Sequence, residues 1–565
     1  MKIVIVGGVA GGASAATRAR RLDEHAEILL LQSGPDVSFA SCGMPYFIGG
    51  EISDRANMSV QTPDSLYEKF HINVKVNVRV TLIHPNNQTV VTKNELTSEV
   101  MVTDYDELVL AVGAEPLLPP IPGIGRPGLF AMRNLQDMDR IDHFLSGKQS
   151  CSAAEHLHCV VAGAGFVGLE MVEQLKIRGF DVTLVELMPQ ILGPLDVEMA
   201  AILEQELKSR GINVITGDGI KAFMPAPDDS EDTVVLLQSG KKLPAAQFVL
   251  LGLGVRPDTA VVRDAGIDCT GRGHIIVDGH LHTNTPHVWA VGDAIEVLNP
   301  ILGNDNKWGV ALAGPANRQG RMVADNIFGK NRSFKGTWGA SVVRIFDQVA
   351  ASVGLNEKQL RSYKMPFECV HIHPGSHAGY YPGAKSINLK LLFDPQTGSI
   401  FGAQAVGQDG VDKRIDVIST AMQGGLTVED LAELELCYAP PVGSAKDPVN
   451  MAGMAAQNIM DGLVQQIQWH EVKDLGDEAV VLDVRNPDEI AGNGHLVEGA
   501  VEIPLSKLRE RLSDVPRDRM VVVSCASGQR AYYACRILQQ NSFERVRNLS
   551  GAFKTFSGAP VSAKV

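Results

Sequence analysis

The same uncommon passage occurs twice in this chain: a short apolar strand, a glycine-rich turn and a helix. The first copy runs Ile3–Val6, Gly7-Gly-Val-Ala-Gly-Gly12, then an Ala/Arg-rich helix expected over Ala13–Leu22 and a strand over Glu27–Leu31. The second runs Cys159-Val-Val-Ala-Gly163-Ala-Gly165-Phe-Val-Gly168, then a helix over Leu169–Arg178 and a strand over Asp181–Glu186. Glycine lets the backbone fold tightly from strand into helix and approach a ligand closely, so each helix N-terminus faces a pyrophosphate. Two such units predict an α/β protein with two Rossmann-like dinucleotide-binding domains and two nucleotides face to face. The first copy departs from the usual spacing, with Val9 at the middle glycine. The second is complete and ends in Glu186, a carboxylate that accepts hydrogen bonds from a ribose 2′-hydroxyl and repels a 2′-phosphate. That favours NADH over NADPH. The matching position of the first unit holds Gln32, which bonds a ribose without the charge-assisted strength of an acid.

Composition narrows the class. At 565 residues the chain has room for roughly three to four domains. A net charge of −14 with no long basic run argues against nucleic acid or an anionic membrane as the main partner. The 8 cysteines lack both regular pairing and the close pairs of a zinc site, so no metal is expected. Met1–Gly7 enters a strand at once, leaving no room for a secretion signal, and no apolar run approaches ~18 residues. The expectation is a cytoplasmic protein with reduced, reactive thiols.

Beyond the glycine turns stand Leu108-Val-Leu-Ala-Val-Gly-Ala114, Gly252-Leu-Gly-Val-Arg-Pro-Asp258 and Val291-Gly-Asp293. With them, residues 1–455 resemble the pyridine nucleotide-disulfide oxidoreductases. The resemblance implies FAD on the first unit, held by Gly7, Val9, Ala10, Gly11, Gly12, Gln32, Val80, Ala111, Gly113, Arg133, Gly292, Asp293 and Ala313. It implies NADH on the second, held by Gly163, Gly165, Phe166, Gly168, Glu170, Glu186 and Gly252, and a C-terminal domain that makes a homodimer. The implied order is an FAD-binding domain split over 1–150 and 275–332, an NAD-binding domain at 151–274, an α+β dimerisation domain at 333–455 and a linker at 456–470.

Cys42 lies in Ser38-Phe-Ala-Ser-Cys-Gly-Met-Pro-Tyr46. Flavoenzymes that reduce disulfides often carry a second cysteine five positions on, where this chain has Phe47, so an internal disulfide is excluded. A lone thiolate beside a flavin stores electrons as a mixed disulfide, a persulfide or a sulfenic acid. Within the family this segment is most similar to the coenzyme A disulfide reductases. That likeness implies CoA contacts at Ser14, Arg18, Arg21, Ser38 and Ser41, with Asn317 and Lys446 as further candidates. Related peroxidases have a histidine where Ala10 stands. Leu436-Cys-Tyr438-Ala-Pro-Pro resembles the family's aromatic active-site segment, which reaches the flavin of the partner subunit, with Tyr438 as proton donor or substrate guide. Its companion is Tyr380 or Tyr381.

The last part, 471–565, resembles a rhodanese domain. It carries Leu482-Asp483-Val-Arg485, His495-Leu-Val-Glu-Gly499 and the loop Cys525-Ala-Ser-Gly-Gln-Arg530 between a strand and a helix. Such a loop aims backbone N–H groups at a sulfur anion, so Cys525, with Arg530 beside it, is expected to carry a persulfide. Asp483, Arg485 and His495 are read as scaffold, and Cys535 as core. Joining the two halves suggests an NADH-dependent flavoprotein reductase of CoA-persulfide, polysulfide and CoA-disulfide, in which Cys42 does the reduction and Cys525 carries sulfane sulfur. The rival readings are a CoA-disulfide reductase with an accessory rhodanese module, an NADH oxidase or peroxidase using a Cys42 sulfenate, and a tail that only docks a sulfur-transfer partner.

Overall fold

The computed structural model describes residues 1–151, 157–227, 231–303 and 306–559. The expected domain end at 565 and the side chain of Cys151 lie outside the described residues. The chain forms two compact units, Met1–Leu187 with Gly217–Thr337, and Met188–Thr216 with Trp338–Val565.

In the first unit, the two glycine passages open two parallel sheets. One runs in the order Val288–Ala290, Glu107–Leu110, Lys2–Val6, Glu27–Leu31, Asn73–Lys75, with every pairing parallel. Its central strands are apolar without alternation because both faces are buried; Ile3, Val4, Ile5, Leu30 and Leu108 share one core with Val80, Ile83 and Val90 of a three-stranded antiparallel sheet, Val78–His84, Thr89–Asn94 and Val100–Asp104. The other contains Asp181–Val185, His158–Ala162, Phe248–Leu251 and Leu129–Phe130, also parallel. The expected helices begin earlier than read from sequence, at Ala10 and Phe166, because the glycine turns are already helical at their ends.

Leu129–Phe130 lie ahead of the boundary expected at 150, yet in the second sheet. These two residues join the second sheet, pairing with Val249 and Leu250, and Phe130 stacks on Phe248 with ring centroids 5.5 Å apart and packs tilted against Phe144 at 5.0 Å. A two-residue strand has no periodicity to read, so aromatic packing decides its place.

The second unit holds a five-stranded antiparallel sheet, ordered Ser341–Ile345, Gln348–Gly354, Ile400–Gly407, Ile387–Phe393, Glu368–Ile372. Met188–Thr216, expected within the NAD-binding domain, belongs to this unit. The reason is electrostatic. Lys390, fully buried in an apolar strand, places its ammonium 2.9 Å from Asp196, 2.5 Å from Glu198 and 2.5 Å from Glu357. Burial opposes the lysine's charge, but the three carboxylates outweigh it and hold its pKa well above the ordinary value. Among the described residues these carboxylates are the one group spaced like metal ligands, and Lys390 contacts all three.

A second, parallel sheet follows in the order Gln466–Ile467, Val546–Leu549, Met520–Ser524, Ala479–Asp483, Val501–Glu502. Alternate residues feed its two faces: Val521 and Val523 pack into one core, Val522 into another. The stretch 456–470, expected as a helix tail and linker, runs into this sheet. Its start is the end of the helix Pro448–Met460, Gln466–Ile467 is an edge strand, and Trp469 is 3% exposed. Short polar strands at a sheet edge read as linker because they lack an apolar run.

His371 and His373 pin the two sheets of this unit together. His371 bonds Glu198 through Nε2 (3.0 Å) and Ser550 through Nδ1 (3.0 Å), and His373 bonds Asn388 (2.7 Å) and Thr555 (2.9 Å). Among the described residues, no helix is long and apolar enough to cross a membrane.

Candidate active site

Every residue expected around FAD, Gly12 excepted, lines one cavity of about 470 Å³ in the first unit, and Cys42 and Ser41 line it too. Gly12 sits under the turn instead. A Cβ there would meet the Gly7 carbonyl oxygen at 1.8 Å, so only glycine lets the helix Ala10–Arg20 start so close to the strand. Gln32 supports the turn directly, its side-chain oxygen accepting the Gly8 N–H at 2.8 Å. Asp293 follows the strand Val288–Ala290, and burial raises its carboxyl above the ordinary range. Cys42 is exposed, carried on the single turn Ser41–Gly43 ahead of the helix Met44–Ile48.

A neighbouring cavity of about 270 Å³ shares Val9 and Ala10 with the first. Ser14, Arg21, Ser38 and Asn317 line it, and Ser14 donates to Asn317 Oδ1 at 2.6 Å. Arg18, expected with them, turns away to Asp325 at 2.8 and 2.7 Å, where Lys330 and Arg332 converge as well. Sequence reading missed Thr17, Gln61, Leu66 and Phe70, which complete this wall. The last three lie in a stretch without motif; Thr17 was legible as one turn beyond Ser14. Lys446 belongs to the second unit and lines a different cavity.

The second glycine turn is equally tight: a Cβ on Gly163 would meet the Gly252 carbonyl oxygen at 2.2 Å, and one on Gly168 the Gly163 oxygen at 2.0 Å. Gly165 faces open space and Phe166 starts the helix Phe166–Ile177. Glu186 Oε2 accepts the Ala164 N–H at 2.7 Å, which holds the carboxylate beside the turn. Glu170 accepts a hydrogen bond from the Tyr46 hydroxyl at 3.2 Å.

In the second unit, Tyr380 is the residue that pairs with Tyr438, hydroxyl to hydroxyl at 2.7 Å, while Tyr381 packs edge-on against His377. Cys525 directly follows the strand Met520–Ser524 and is wholly buried. Its sulfur accepts the Gly528 N–H at 3.2 Å. The loop carbonyls of Cys525 and Ala526 accept the N–H groups of Phe553 and Lys554, both at 3.0 Å. Arg530, expected beside the sulfur, forks instead onto Glu489 at 2.7 and 2.6 Å and holds that carboxyl down to about 2. A guanidinium and a carboxylate match geometrically, and that pairing takes the arginine. Asp483 and Arg485 form a buried pair at 2.7 Å, with Arg485 over the Phe553 ring at 4.1 Å.

Two dinucleotide turns, a cavity joining one of them to an exposed cysteine, and a separate cysteine loop define a two-nucleotide redox protein acting on sulfur. The chain belongs to the pyridine nucleotide-disulphide oxidoreductases, which match residues 1–320, with the dimerisation domain of that family at 341–448 and a rhodanese-like domain at 468–559. It is 36% identical to the coenzyme A disulfide reductase of Staphylococcus haemolyticus over 461 residues, 81% of this chain and 100% of that one. Among solved structures it is similar to the reduced CoADR-RHD protein of Bacillus anthracis, with a TM-score of 0.94 and 43% identity over 99% of this chain and 98% of that one. It is also similar to an NAD-dependent persulfide reductase from A. fulgidus, with a TM-score of 0.90 and 34% identity over 98% and 100%. The protein is therefore an oxidoreductase of a family that uses FAD and NAD(P)H. The glycine cradle, the 470 Å³ cavity and the half-buried Asp293 fit a flavin dinucleotide, and the Gly163–Gly168 turn with Glu186 fits a pyridine nucleotide.

Proposed function

We propose that this protein is a cytoplasmic, homodimeric NADH-dependent reductase of sulfur–sulfur bonds on CoA, reducing CoA-persulfide, polysulfide and CoA-disulfide. The observation that carries the reading is Cys42 in the wall of the cavity built by the first glycine turn and Asp293. FAD held there supplies a two-electron link between a nicotinamide and a thiol. The chain's own residues do the rest. Cys42 as thiolate attacks one sulfur of the substrate, and the departing thiolate takes a proton, for which the Tyr380–Tyr438 pair brought by the second subunit of the homodimer is the proposed donor. Ser14, Arg21, Ser38 and Asn317 orient the CoA, and Arg21 suits its phosphates. Glu186 selects NADH. Cys525 carries sulfane sulfur to or from the same substrates.

One observation favours a second reading, a CoA-disulfide reductase with an accessory rhodanese module: Cys525 is wholly buried. Both are tested anaerobically with excess NADH, following sulfide release and NADH oxidation on CoA-persulfide, polysulfide and CoA-disulfide. The proposal expects sulfide release to be lost in Cys42→Ser and lowered in Cys525→Ser. Rapid CoA-disulfide turnover with negligible sulfide release selects the second reading. Turnover that survives Cys42→Ser refutes both.

A further inference from the structure

The loop that carries Cys525 is held from outside itself. Gly528, whose N–H meets the Cys525 sulfur at 3.2 Å, has a φ of +97°, and a Cβ there would stand 3.5 Å from the Gly551 nitrogen. The carbonyls of Cys525 and Ala526 accept the N–H groups of Phe553 and Lys554, which open the helix Ala552–Gly558. Whatever fixes Ser550, Gly551 and the start of that helix therefore also fixes the Gly528 donor against the sulfur.

The fixing residue comes from another domain. His371 belongs to the strand Glu368–Ile372, inside the dimerisation-domain match at 341–448, whereas Ser550 lies in the rhodanese-like match at 468–559. Both are buried. The Ser550 hydroxyl oxygen accepts the His371 backbone N–H at 3.1 Å and meets the ring Nδ1 at 3.0 Å. The other ring nitrogen, Nε2, meets Glu198 Oε1 at 3.0 Å, and Lys390 anchors that same oxygen at 2.5 Å. A histidine bonded at both ring nitrogens has its orientation fixed. Gly551, at a φ of +66°, lies directly beneath it: a Cβ on Gly551 would stand 2.8 Å from the His371 Cβ.

We propose that His371 is a positioning residue for Cys525: its Nδ1 bond to Ser550 sets the turn at Gly551, and that turn sets the Gly528 N–H on the sulfur. The cysteine loop is thus completed by a side chain outside its own domain. A donor aimed at a reacting sulfur works only if the groups behind it are themselves held in place. The inference rests on the reading that Cys525 carries sulfane sulfur. The two ring bonds can be removed separately. Asn places its amide at about the reach of Nδ1 and Gln at about that of Nε2, and both keep the Cβ that packs on Gly551. His371→Asn therefore retains the bond to Ser550, and His371→Gln retains the bond to Glu198.

The test uses the full-length flavoprotein carrying Cys42→Ser, so that loading of Cys525 is observed without reduction. The probe is inorganic polysulfide. The Cys525 thiolate attacks a terminal sulfur, one S–S bond breaks, and a polysulfide dianion one sulfur shorter leaves, with Cys525–S–S⁻ formed. Mass spectrometry follows the gain of one sulfur atom on the Cys525 peptide, and hydrogen exchange reads the amides of the same loop. His371→Gln and Ser550→Ala are expected to load about tenfold more slowly, the equivalent of one weakened hydrogen bond to a charged sulfur, and to exchange the loop amides faster. His371→Asn stays within about twofold of the parent in loading. With Cys42 restored, all three variants reduce CoA-disulfide at the unsubstituted rate, which shows that they fold; should His371→Gln not fold, Ser550→Ala decides. A role limited to stability lowers the thermal midpoints of the Asn and Gln variants alike and does not separate them in loading. Loading at the parent's rate in Ser550→Ala, or equal slowing in the Asn and Gln variants, overturns the positioning role. A parent that takes up no sulfur overturns the sulfur-carrying role of Cys525 itself, and this inference with it.

Discussion

The hydroxyls of Tyr380 and Tyr438 stand 2.7 Å apart although 58 residues separate them in the chain. Both side chains are largely exposed, so the pair is held by its own hydrogen bond and by the loops that carry it. Its hydrogen bond to Tyr380 raises the Tyr438 pKa, keeping one phenol of the pair protonated. If the two act as one proton-donating unit, Tyr380→Phe and Tyr438→Phe each lower kcat on CoA-disulfide by roughly 10-fold or more, and the double variant is no worse than the poorer single one. Steady-state kinetics decide it; a multiplicative double effect contradicts the unit.

Lys390→Met tests the buried charge cluster. Removing the ammonium leaves Asp196, Glu198 and Glu357 facing one another in the core, and breaking such a buried pair costs roughly 3–5 kcal/mol. In the unsubstituted protein Glu198 and Glu357 are held below their usual range, against burial, chiefly by Lys390. Their contribution is therefore present above the ordinary carboxylate pKa and is lost as pH falls through the depressed values. Without Lys390 the carboxyls protonate more readily, so the gap between variant and parent narrows as pH falls. Urea unfolding at neutral and mildly acid pH measures it. A gap independent of pH rejects the account.

His373 gives the opposite case. Burial lowers its pKa from 6.5 to about 4, so the fold prefers the neutral ring that bonds Asn388 and Thr555. The unfolded chain takes up the proton first. Stability from this residue is thus intact above 6.5 and is lost progressively between 6.5 and about 4. His373→Gln should flatten the fall in thermal midpoint over that window, as read by calorimetry. An unchanged slope counts against it.

Glu186 is the specificity test. Its carboxylate is fixed by the Ala164 N–H at the mouth of the second glycine turn. Glu186→Ala removes both the ribose acceptor and the repulsion of a 2′-phosphate. The ratio of kcat/KM for NADPH over NADH should rise by roughly tenfold or more. An unchanged ratio places cofactor selection elsewhere.

The glycine turns were legible because backbone geometry leaves no other residue possible: Gly12 and Gly168 each press against a carbonyl oxygen. The apolar parallel strands followed from them. Less legible was whatever depends on a partner far along the chain. Ser14, Arg18 and Arg21 share one helical face by spacing, yet Asp325 draws Arg18 out of the cavity from 307 residues away. Glu489 does the same to Arg530 from 41 residues away. Lys390 hid inside an apolar strand, where the pattern alone gives no warning of a buried cation. Ser550 reaches His371 from 179 residues away.

The strand Gln466–Ile467 has a mechanical consequence. The segment leading into the last domain is itself woven into that domain's sheet, and Gln468 donates to the Cys369 carbonyl of the preceding sheet at 3.2 Å. There is no slack tether on which the Cys525 loop can swing out as an arm. The loop that carries Cys525 is fixed in place at the end of an anchored sheet.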